Sequence, residues 1–316
     1  MINRNISVWL NGKIISQEAA SIPILSQTLH YGFGVYEGLR SYQTDQGPAI
    51  FRLNDHTKRL FESAKILNIS LPFTVDELNH AQLKVLQRSN LDNAYLRPCV
   101  FFSDDHFGLN TLKSKPQVMI AVIPWDNSYL DKEKYINGID VHISSFITNP
   151  PRMGLNKAKA NGKYIQSIMA NNQAQLEGYD DAILLDHIDF VAEGTGANLF
   201  LIKNNLLITP EVTSALDGIT RNTVFHIAKK LNLTLTVTNL TREDLYTADE
   251  LFFCGTAAEI LPIRSVDKRI IGYGQCGEIT QKIQQNYREI TQGNLLAYID
   301  WLSFTNKMNI AEHEME

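Results

Sequence analysis

Cysteine is scarce in this chain, and its pattern excludes two common kinds of site. The 316 residues include only Cys99, Cys254 and Cys276, and no two of them form a CxxC pair. An odd number leaves one thiol unpaired in any disulfide scheme, so we expect neither a disulfide scaffold nor a cysteine zinc site. The 8 histidines are dispersed without an HExxH pair, so we expect no metal site of that kind either.

Long apolar runs and clusters of basic residues are also missing. The longest apolar stretch, residues 118–125, is too short to span a bilayer, and the first residues lack the basic-then-apolar pattern of a signal peptide. The formal net charge is -5, and lysine and arginine are scattered. We therefore expect a cytoplasmic protein without a nucleic-acid or membrane partner.

The remaining composition, 44% hydrophobic and 20% charged, is typical of a globular chain. Its length suffices for two domains around separate cores. Apolar periodicity predicts a smaller α/β domain over residues 1–125, a polar linker over 126–137, a larger domain over 138–308 and a frayed tail over 309–316. We expect an α/β (α+β) fold in which each domain has a mixed or barrel-like sheet surrounded by helices.

Three glycine-containing segments combine polar groups with the predicted ends of strands or starts of helices. Backbone N–H groups at such junctions are free to bind anions. Taken singly, each segment is equally compatible with an ordinary helix cap or turn. The three segments are residues 193–198, 216–221 and 254–259.

A fourth glycine run, from Gly32 to Gly38, does not fit a dinucleotide-binding loop. The third glycine of that motif would fall at position 37, where Glu37 stands, and no hydrophobic strand precedes the run. Tyr36 in the run and Tyr31 just before it are better suited to the wall of a small-molecule pocket. A nicotinamide cofactor is therefore not expected.

Lys157, Lys159 and Lys163 crowd one segment, and composition does not show which of them carries chemistry. The run KANGKY, from Lys159 to Tyr164, taken with the three glycine segments in their order, resembles the branched-chain aminotransferases. These are class IV, fold type IV enzymes that use pyridoxal 5′-phosphate. The resemblance covers nearly the whole chain, and further matches lie at residues 30–32, 56–60, 95–98, 125 and 255–259.

The resemblance implies a set of cofactor-binding residues. It places the Schiff-base lysine, which is also the catalytic residue, at Lys159, and the tyrosine that contacts the phenolic oxygen of the cofactor at Tyr164. Glu193 matches the carboxylate that faces the pyridine nitrogen, and Arg59 would fork two donors onto the phosphate. The remaining cofactor-binding residues are Leu216 near the ring, with Ile219, Thr220 and Thr256 near the phosphate.

The same resemblance implies a substrate pocket. Arg97 would bind the distal carboxylate of glutamate, while Tyr95 and the backbone of Thr256 and Ala257 would hold the α-carboxylate. Gly38 would leave room for the substrate side chain. The aromatic walls of the pocket would be Tyr31, Tyr36, Trp125 and Tyr129.

The implied reaction is a transamination in two half-reactions. L-Leucine, L-isoleucine or L-valine would give a 2-oxo acid, and 2-oxoglutarate would give L-glutamate. Lys159 would serve twice, by binding the cofactor and by moving the α-proton of the amino acid. Because Leu109 would enter the pocket from a partner subunit, we expect a homodimer as the minimum unit and a hexamer as the larger alternative.

Two positions depart from the family pattern. Tyr36 stands where phenylalanine is usual, which adds a hydroxyl to the side-chain pocket and favours a broadened or shifted substrate preference. Lys163 stands where asparagine or glycine is common. The loop at residues 107–110 matches the subunit-crossing loop only loosely.

Three alternatives accompany this interpretation. A D-amino-acid aminotransferase and an aminodeoxychorismate lyase share the fold and the lysine and glutamate positions, but the matches from Tyr95 to Pro98 and at Trp125 argue against both. The alternative from another class is a non-catalytic binding protein that kept the fold. The intact set of cofactor-binding residues argues against it.

Overall fold

The computed structural model describes residues 6–103, 108–125 and 132–305. The described part of the chain before residue 125 folds into short strands and three helices. The strands are β1 (Ser7–Leu10), β2 (Lys13–Ser16), β3 (Val35–Tyr36), β4 (Leu39–Tyr42), β5 (Ala49–Phe51), β6 (Ala94–Phe102) and β7 (Pro116–Pro124). The helices are α1 (Gln27–Tyr31), α2 (Leu53–Ile66) and α3 (Val75–Ser89).

The described part from residue 132 onward contains the remaining elements. Its strands are β8 (Ile139–Ile147), β9 (Asp181–Leu185), β10 (Val191–Gly194), β11 (Asn198–Lys203), β12 (Leu206–Thr209), β13 (Thr234–Val237), β14 (Glu250–Gly255), β15 (Glu259–Val266), β16 (Arg269–Ile270) and β17 (Leu302–Phe304). Its helices are α4 (Lys132–Asn137), α5 (Ile165–Leu176), α6 (Ile219–Lys230), α7 (Arg242–Tyr246) and α8 (Glu278–Thr291). Two 3₁₀ helices span Asn161–Tyr164 and Leu296–Trp301.

Local sequence signals explain where several elements begin and end. Asn11 and Gly12 have φ angles of 48° and 96° in the two-residue turn that joins β1 to β2, a conformation that glycine and asparagine favour. At the start of α3, the Thr74 hydroxyl accepts a hydrogen bond from the Glu77 N–H, and the Glu77 carboxylate accepts one from the Thr74 N–H. The predicted hairpin and capping box are confirmed.

The first sheet is antiparallel, and the strand at one of its edges, β17, comes from the end of the described chain. Its order is β17-β5-β4-β6-β7-β1-β2, with β3 paired to β6. Helices α2 and α3 pack on it, and their apolar residues join those of the strands in one core. Leu39, Leu60, Leu96 and Ile120 are fully buried in this core.

The second sheet mixes parallel and antiparallel pairs in the order β10-β9-β8-β15-β14-β11-β12-β13, with β16 paired to β15. Helices α6 and α8 pack on one of its faces, where Phe200, Phe252 and Ile283 are fully buried. A separate core containing Ile183 and Phe253 forms from the same strands. The expectation of two sheets with surrounding helices is confirmed.

Two features differ from the predicted organisation. Lys132–Asn137, in the predicted linker, forms helix α4, while residues 126–131 of that linker lie outside the described residues. Strand β17 leaves the second part of the chain and pairs with β5 of the first sheet, with Leu302 opposite Phe51. The two apolar side chains of β17, Leu302 and Phe304, are buried there, which stabilises the return. The predicted domain limits stay a proposal, and the predicted tail, residues 309–316, lies outside the described residues.

Among the described residues, no helix is both long and apolar enough to cross a membrane. The cytoplasmic location stays a prediction from the sequence.

Candidate active site

One pocket gathers the three glycine segments. Strands β10 and β14 end beside it, while strand β11 and helix α6 begin there. Residues 159–164 and helix α2 complete its wall. Every residue that the sequence predicted to bind the cofactor lines this pocket. These residues are Arg59, Lys159, Tyr164, Glu193, Leu216, Ile219, Thr220 and Thr256.

The backbone of Lys159 is fixed by the first sheet and by helix α2. The Lys159 N–H donates to the Ser63 hydroxyl at 3.0 Å, and its carbonyl accepts from the Tyr36 N–H at 3.0 Å. The Lys159 amine donates to the Tyr164 hydroxyl at 2.8 Å and lies 5.0 Å from the centre of the Tyr36 ring. A primary amine is therefore held at a defined point of the pocket wall.

The Tyr36 and Tyr164 rings pack against each other beside Lys159, with their centres 5.3 Å apart. The Tyr164 hydroxyl accepts from the Lys159 amine. Burial raises the pKa of Tyr164 to about 12 and raises the pKa of Tyr36 further, so both groups stay protonated at neutral pH. Tyr36, which carries the extra hydroxyl predicted to face the substrate side chain, packs against Tyr164. The Tyr164 oxygen accepts from Lys159, so the proton of Tyr164 remains to be donated into the pocket.

Glu37 is a buried carboxylate that sequence reasoning did not select as a site residue. It is fully buried and accepts hydrogen bonds from Arg59 Nε at 2.6 Å, from Arg59 Nη2 at 2.9 Å and from His56 Nδ1 at 2.8 Å. Burial opposes its charge, but the Arg59 guanidinium and His56 outweigh burial and hold the pKa of Glu37 well below its ordinary value. Burial also lowers the pKa of His56, so this histidine donates as the neutral ring.

A signal for Glu37 was present in the sequence. Val35 and Leu39, two positions before and after Glu37, are apolar and share its face if this segment is a strand, and a charged residue on a buried face requires a partner. The structure shows that both apolar residues are completely buried. The sequence does not show which residue that partner is.

The Arg59 guanidinium is fixed by a partner within the chain. Its Nε and Nη2 edge is bound to Glu37, because a fully buried carboxylate must be paired. Nη1 donates to the Asp217 carbonyl at 3.0 Å. An arginine side chain has five N–H donors. The described contacts use three of them, so one N–H remains on Nη1 and one on Nη2. Arg59 thus keeps donors for an anion and is held rigid by Glu37.

The beginning of helix α6 provides further donors on the same side of the pocket. Gly218 is the N-cap residue of α6, and no side chain hydrogen bond caps the helix there. The first N–H groups of an α-helix have no partner within the helix and carry partial positive charge. Together with Arg59, the start of α6 at Ile219 and Thr220 presents N–H donors that are suited to an anion.

Glu193 on strand β10 contributes the carboxylate of the pocket. One oxygen accepts from the Leu216 N–H at 3.2 Å, and the other lies 3.4 Å from the Lys163 ammonium. Asn198 fixes the Leu216 segment in turn, since its side-chain amide donates to the Leu216 carbonyl at 2.9 Å. The side chain of Glu193 is only 13% exposed, so its negative charge acts mainly on the pocket.

The residues predicted to bind the substrate form a second cluster. The Tyr95 ring stacks on Trp125 with the ring centres 5.2 Å apart, and the Arg97 guanidinium donates to the Tyr95 hydroxyl at 3.1 Å. The same guanidinium lies 4.5 Å from the centre of the Tyr36 ring. A Cβ atom on Gly38 would lie 1.8 Å from the Tyr95 hydroxyl oxygen, so glycine is required there to admit that hydroxyl. The space predicted to serve the substrate side chain is taken by Tyr95.

The other predicted substrate residues are dispersed. Thr256 lines the pocket, and Ala257 follows it in the exposed turn between β14 and β15. Tyr31 is 42% exposed and Leu109 is 80% exposed, and neither is among the residues of this chain that line the pocket. Tyr129 lies outside the described residues.

Comparison with known proteins gives consistent matches. Residues 34–266 match the model of the family described as Amino-transferase class IV. A branched-chain-amino-acid aminotransferase of Pseudomonas aeruginosa is 43% identical over 301 residues, which cover 95% of this chain and 98% of that protein. The crystal structure of a T.th. branched-chain amino acid aminotransferase with pyridoxamine 5′-phosphate has a TM-score of 0.94 at 38% identity and covers 97% of this chain and 100% of its own.

A further structure of the T.th. enzyme, complexed with N-(5′-phosphopyridoxyl)-L-glutamate, has a TM-score of 0.92 at 37% identity, with coverage of 97% and 100%. These relatives carry the branched-chain name and not that of the D-amino-acid or lyase alternatives. The family match spans most of the chain, and the two relatives are 43% and 38% identical to it over nearly its whole length. The chain therefore belongs to the branched-chain-amino-acid aminotransferases, within the class IV aminotransferase family.

Proposed function

We propose that this protein catalyses the pyridoxal 5′-phosphate-dependent transamination of L-leucine, L-isoleucine and L-valine with 2-oxoglutarate. One observation carries the proposal: a fixed lysine amine, a largely buried carboxylate and an anion-binding helix start line a single pocket. The relatives named above add support, since one of them was crystallised with pyridoxamine 5′-phosphate. A non-catalytic role would not require this set to be intact.

The donor groups of the pocket fit the cofactor chemically. Arg59 and the start of α6 would hold the phosphate, Lys159 would bind the aldehyde carbon, and Tyr164 would donate to the phenolic oxygen. Glu193 would hold the proton of the pyridine nitrogen, and Leu216 would pack near the ring. When bound, pyridoxal 5′-phosphate supplies an electron sink for the bonds of the amino acid's α-carbon.

Lys159 has the central role in proton movement. Its amine would take the α-proton of the amino acid and return a proton in the second half-reaction. Tyr164 positions this amine through the 2.8 Å hydrogen bond, while the Tyr36 ring packs against the Tyr164 ring. The anchoring of the Lys159 backbone to Ser63 limits where the amine can move. Proton transfer in one direction and its reversal then use the same residue.

Tyr95, Thr256 and Ala257 would orient the substrate. The Tyr95 hydroxyl, together with the backbone of Thr256 and Ala257, would hold the α-carboxylate. Arg97 would pair with the distal carboxylate of 2-oxoglutarate or glutamate, and the apolar faces of Tyr36 and Trp125 would contact an aliphatic side chain. The contacts of Arg97 with Tyr95 and Tyr36 support this role. Both kinds of substrate would thus share one pocket.

Absorbance spectroscopy tests the proposed function directly. Purified protein saturated with pyridoxal 5′-phosphate is expected to show a visible absorbance band that L-leucine bleaches and 2-oxoglutarate restores. The two responses correspond to the two half-reactions. A band that responds to D-alanine and not to L-leucine would contradict the proposal, as would a protein that acquires no visible band.

The variant Arg97→Ala separates the two substrates in the same experiment. We expect leucine to bleach the band within a few-fold of the normal rate, and the restoring step to need about 100-fold more 2-oxoglutarate, because the distal carboxylate loses a charged, hydrogen-bonding partner. Stopped-flow measurement of each half-reaction gives both values. Arg88→Ala, which removes an exposed arginine at the end of α3, is the matched control. Equal loss for both substrates would exclude the shared-pocket model.

We propose further that the protein forms a homodimer in which Leu109 and Tyr31 meet the pocket of the partner. An apolar surface made of Ile24, Leu29, Tyr31, Leu109 and Leu112 supports this, since each of these side chains is at least 42% exposed. The Gln27 side chain donates to the carbonyl of residue 108 at 2.8 Å, which places helix α1 beside the loop that carries the two leucines.

The mass in solution tests this assembly. Light scattering at micromolar concentration is expected to give twice the mass of one chain, or six times for the hexameric alternative. Replacing Leu109 with aspartate should weaken association and slow turnover together. A protein that is monomeric and fully active would contradict the proposed assembly.

A further inference from the structure

Lys163 places a second lysine amine in the pocket. It belongs to the 3₁₀ helix Asn161–Tyr164, and its side chain lines the pocket beside Lys159. The Lys163 amine lies 3.4 Å from Glu193 Oε1 and donates to the Asn156 carbonyl at 3.0 Å. The side chains of Lys163 and Glu193 are only 12% and 13% exposed, so water screens their interaction weakly.

The surroundings of Lys163 disfavour its charged form. Burial lowers the pKa of Lys163, and the cationic Lys159 and Arg59 add to this, while Glu193 opposes it. Arg59 has its own carboxylate partner in Glu37, so it does not compete for Glu193. Glu193 is therefore the one carboxylate that holds the Lys163 charge among the groups that face it in the described pocket.

A buried ion pair of this kind contributes little net stability, because desolvation of both charges offsets their attraction. Its main consequence is electrostatic. A cation beside Glu193 cancels part of the negative potential that the carboxylate directs into the pocket, and it favours the less protonated form of any neighbouring titrating group.

Resting on the proposed function, we propose that Lys163 is a positioning residue that acts through Glu193. Lys163 would share the Glu193 carboxylate with the pyridine nitrogen of the cofactor. It would thereby lower the pH at which the bound cofactor loses the proton of that nitrogen. The lysine amine thereby sets the fraction of the cofactor that is in the reactive protonation state at neutral pH.

Titration of the visible absorbance of the cofactor-saturated protein tests this role. Lys163→Met keeps the length of the side chain and removes the charge, so the midpoint of the titration is expected to rise by about one pH unit. Lys163→Arg keeps the charge and should leave the midpoint near that of the unmodified protein. Lys157→Met, which removes an exposed charge from the same segment, is the matched control and should have no effect.

A double-variant experiment shows whether Lys163 acts through Glu193. In a Glu193→Gln background, Lys163→Met should no longer move the midpoint, because the shared carboxylate is gone. If Lys163→Met does not fold, Lys163→Asn gives the same charge change with a smaller side chain.

The outcomes distinguish this inference from the proposed function. A visible band that titrates identically in unmodified protein and in the uncharged Lys163 variants would overturn the inference and leave the proposed function standing. A lowered thermal midpoint with an unchanged titration would assign Lys163 a purely structural role and overturn it too. A protein that acquires no visible band would overturn both proposals.

Discussion

Replacing Lys159 with alanine is expected to lower leucine–2-oxoglutarate transamination by about 10⁴-fold or more. The amine at this position would both bind the cofactor and carry the α-proton. The other amine in the pocket, that of Lys163, is held by Glu193 and by the Asn156 carbonyl and does not replace it. The side chain makes one hydrogen bond, to Tyr164, and its backbone contacts to Ser63 and Tyr36 do not depend on the side chain. The variant should therefore fold normally. Steady-state rates and a far-UV circular dichroism spectrum measure both properties.

Lys157→Ala is the matched control for this experiment. Lys157 is an exposed lysine two positions earlier in the chain, and its removal should leave turnover within about two-fold of the unmodified rate, as for an ordinary surface substitution. Normal transamination by Lys159→Ala would refute the assignment of the catalytic lysine. Equal loss in both variants would show that the segment, and not the amine, is required.

Glu37→Gln is expected to lower the free energy of unfolding by about 3 kcal/mol, because it leaves the Arg59 guanidinium buried beside a neutral amide. Glu37 is completely buried, and the partner side chains Arg59 and His56 are 12% and 3% exposed, so solvent cannot replace the lost charge. We also expect weaker retention of the cofactor, since Glu37 orients Arg59 at the phosphate side of the pocket. Urea denaturation and equilibrium dialysis at fixed cofactor concentration measure the two effects.

The pH dependence of the difference in unfolding free energy between Glu37→Gln and the unmodified protein identifies the cause of that difference. Because the pKa of Glu37 is lower in the folded than in the unfolded protein, its stabilisation is fully present above the ordinary glutamate pKa of about 4.3. It is lost as the pH falls through the folded pKa. The difference in unfolding free energy between the two proteins should thus stay constant from pH 8 to about pH 5 and shrink at lower pH.

Glu62→Gln, an exposed change on helix α2, is the control and should alter stability by less than about 0.5 kcal/mol. Equal stability of Glu37→Gln and the unmodified protein at pH 7 would show that the buried pair does not hold Arg59.

Much of the fold could be predicted from local sequence patterns. The Asn11-Gly12 turn and the Thr74–Glu77 capping box act over two to four residues, and both are present as predicted. The apolar periodicity of residues 53–66 likewise predicted helix α2. Strand β17 was not predicted because a three-residue strand has too little pattern of its own. It is stabilised by pairing with β5, which lies about 250 positions earlier in the chain.

In the candidate site, too, some residues could be predicted from local sequence and others could not. The ordered motifs located Lys159, Tyr164, Glu193 and Arg59, and the structure brings all of them to one pocket. They could be located because each lies in a short segment whose residue order is distinctive. The partners of these residues could not be located by the same means.

The sequence by itself determined the family, the residues that line the candidate pocket and the ends of most elements, because those depend on residue order and on interactions between near neighbours. Only the tertiary structure decided that Glu37 pairs with Arg59 across 22 positions and that Lys163 lies against Glu193. Such pairs form because burial forces each charge to take the nearest opposite charge, and the path of the chain through the fold decides which one is near.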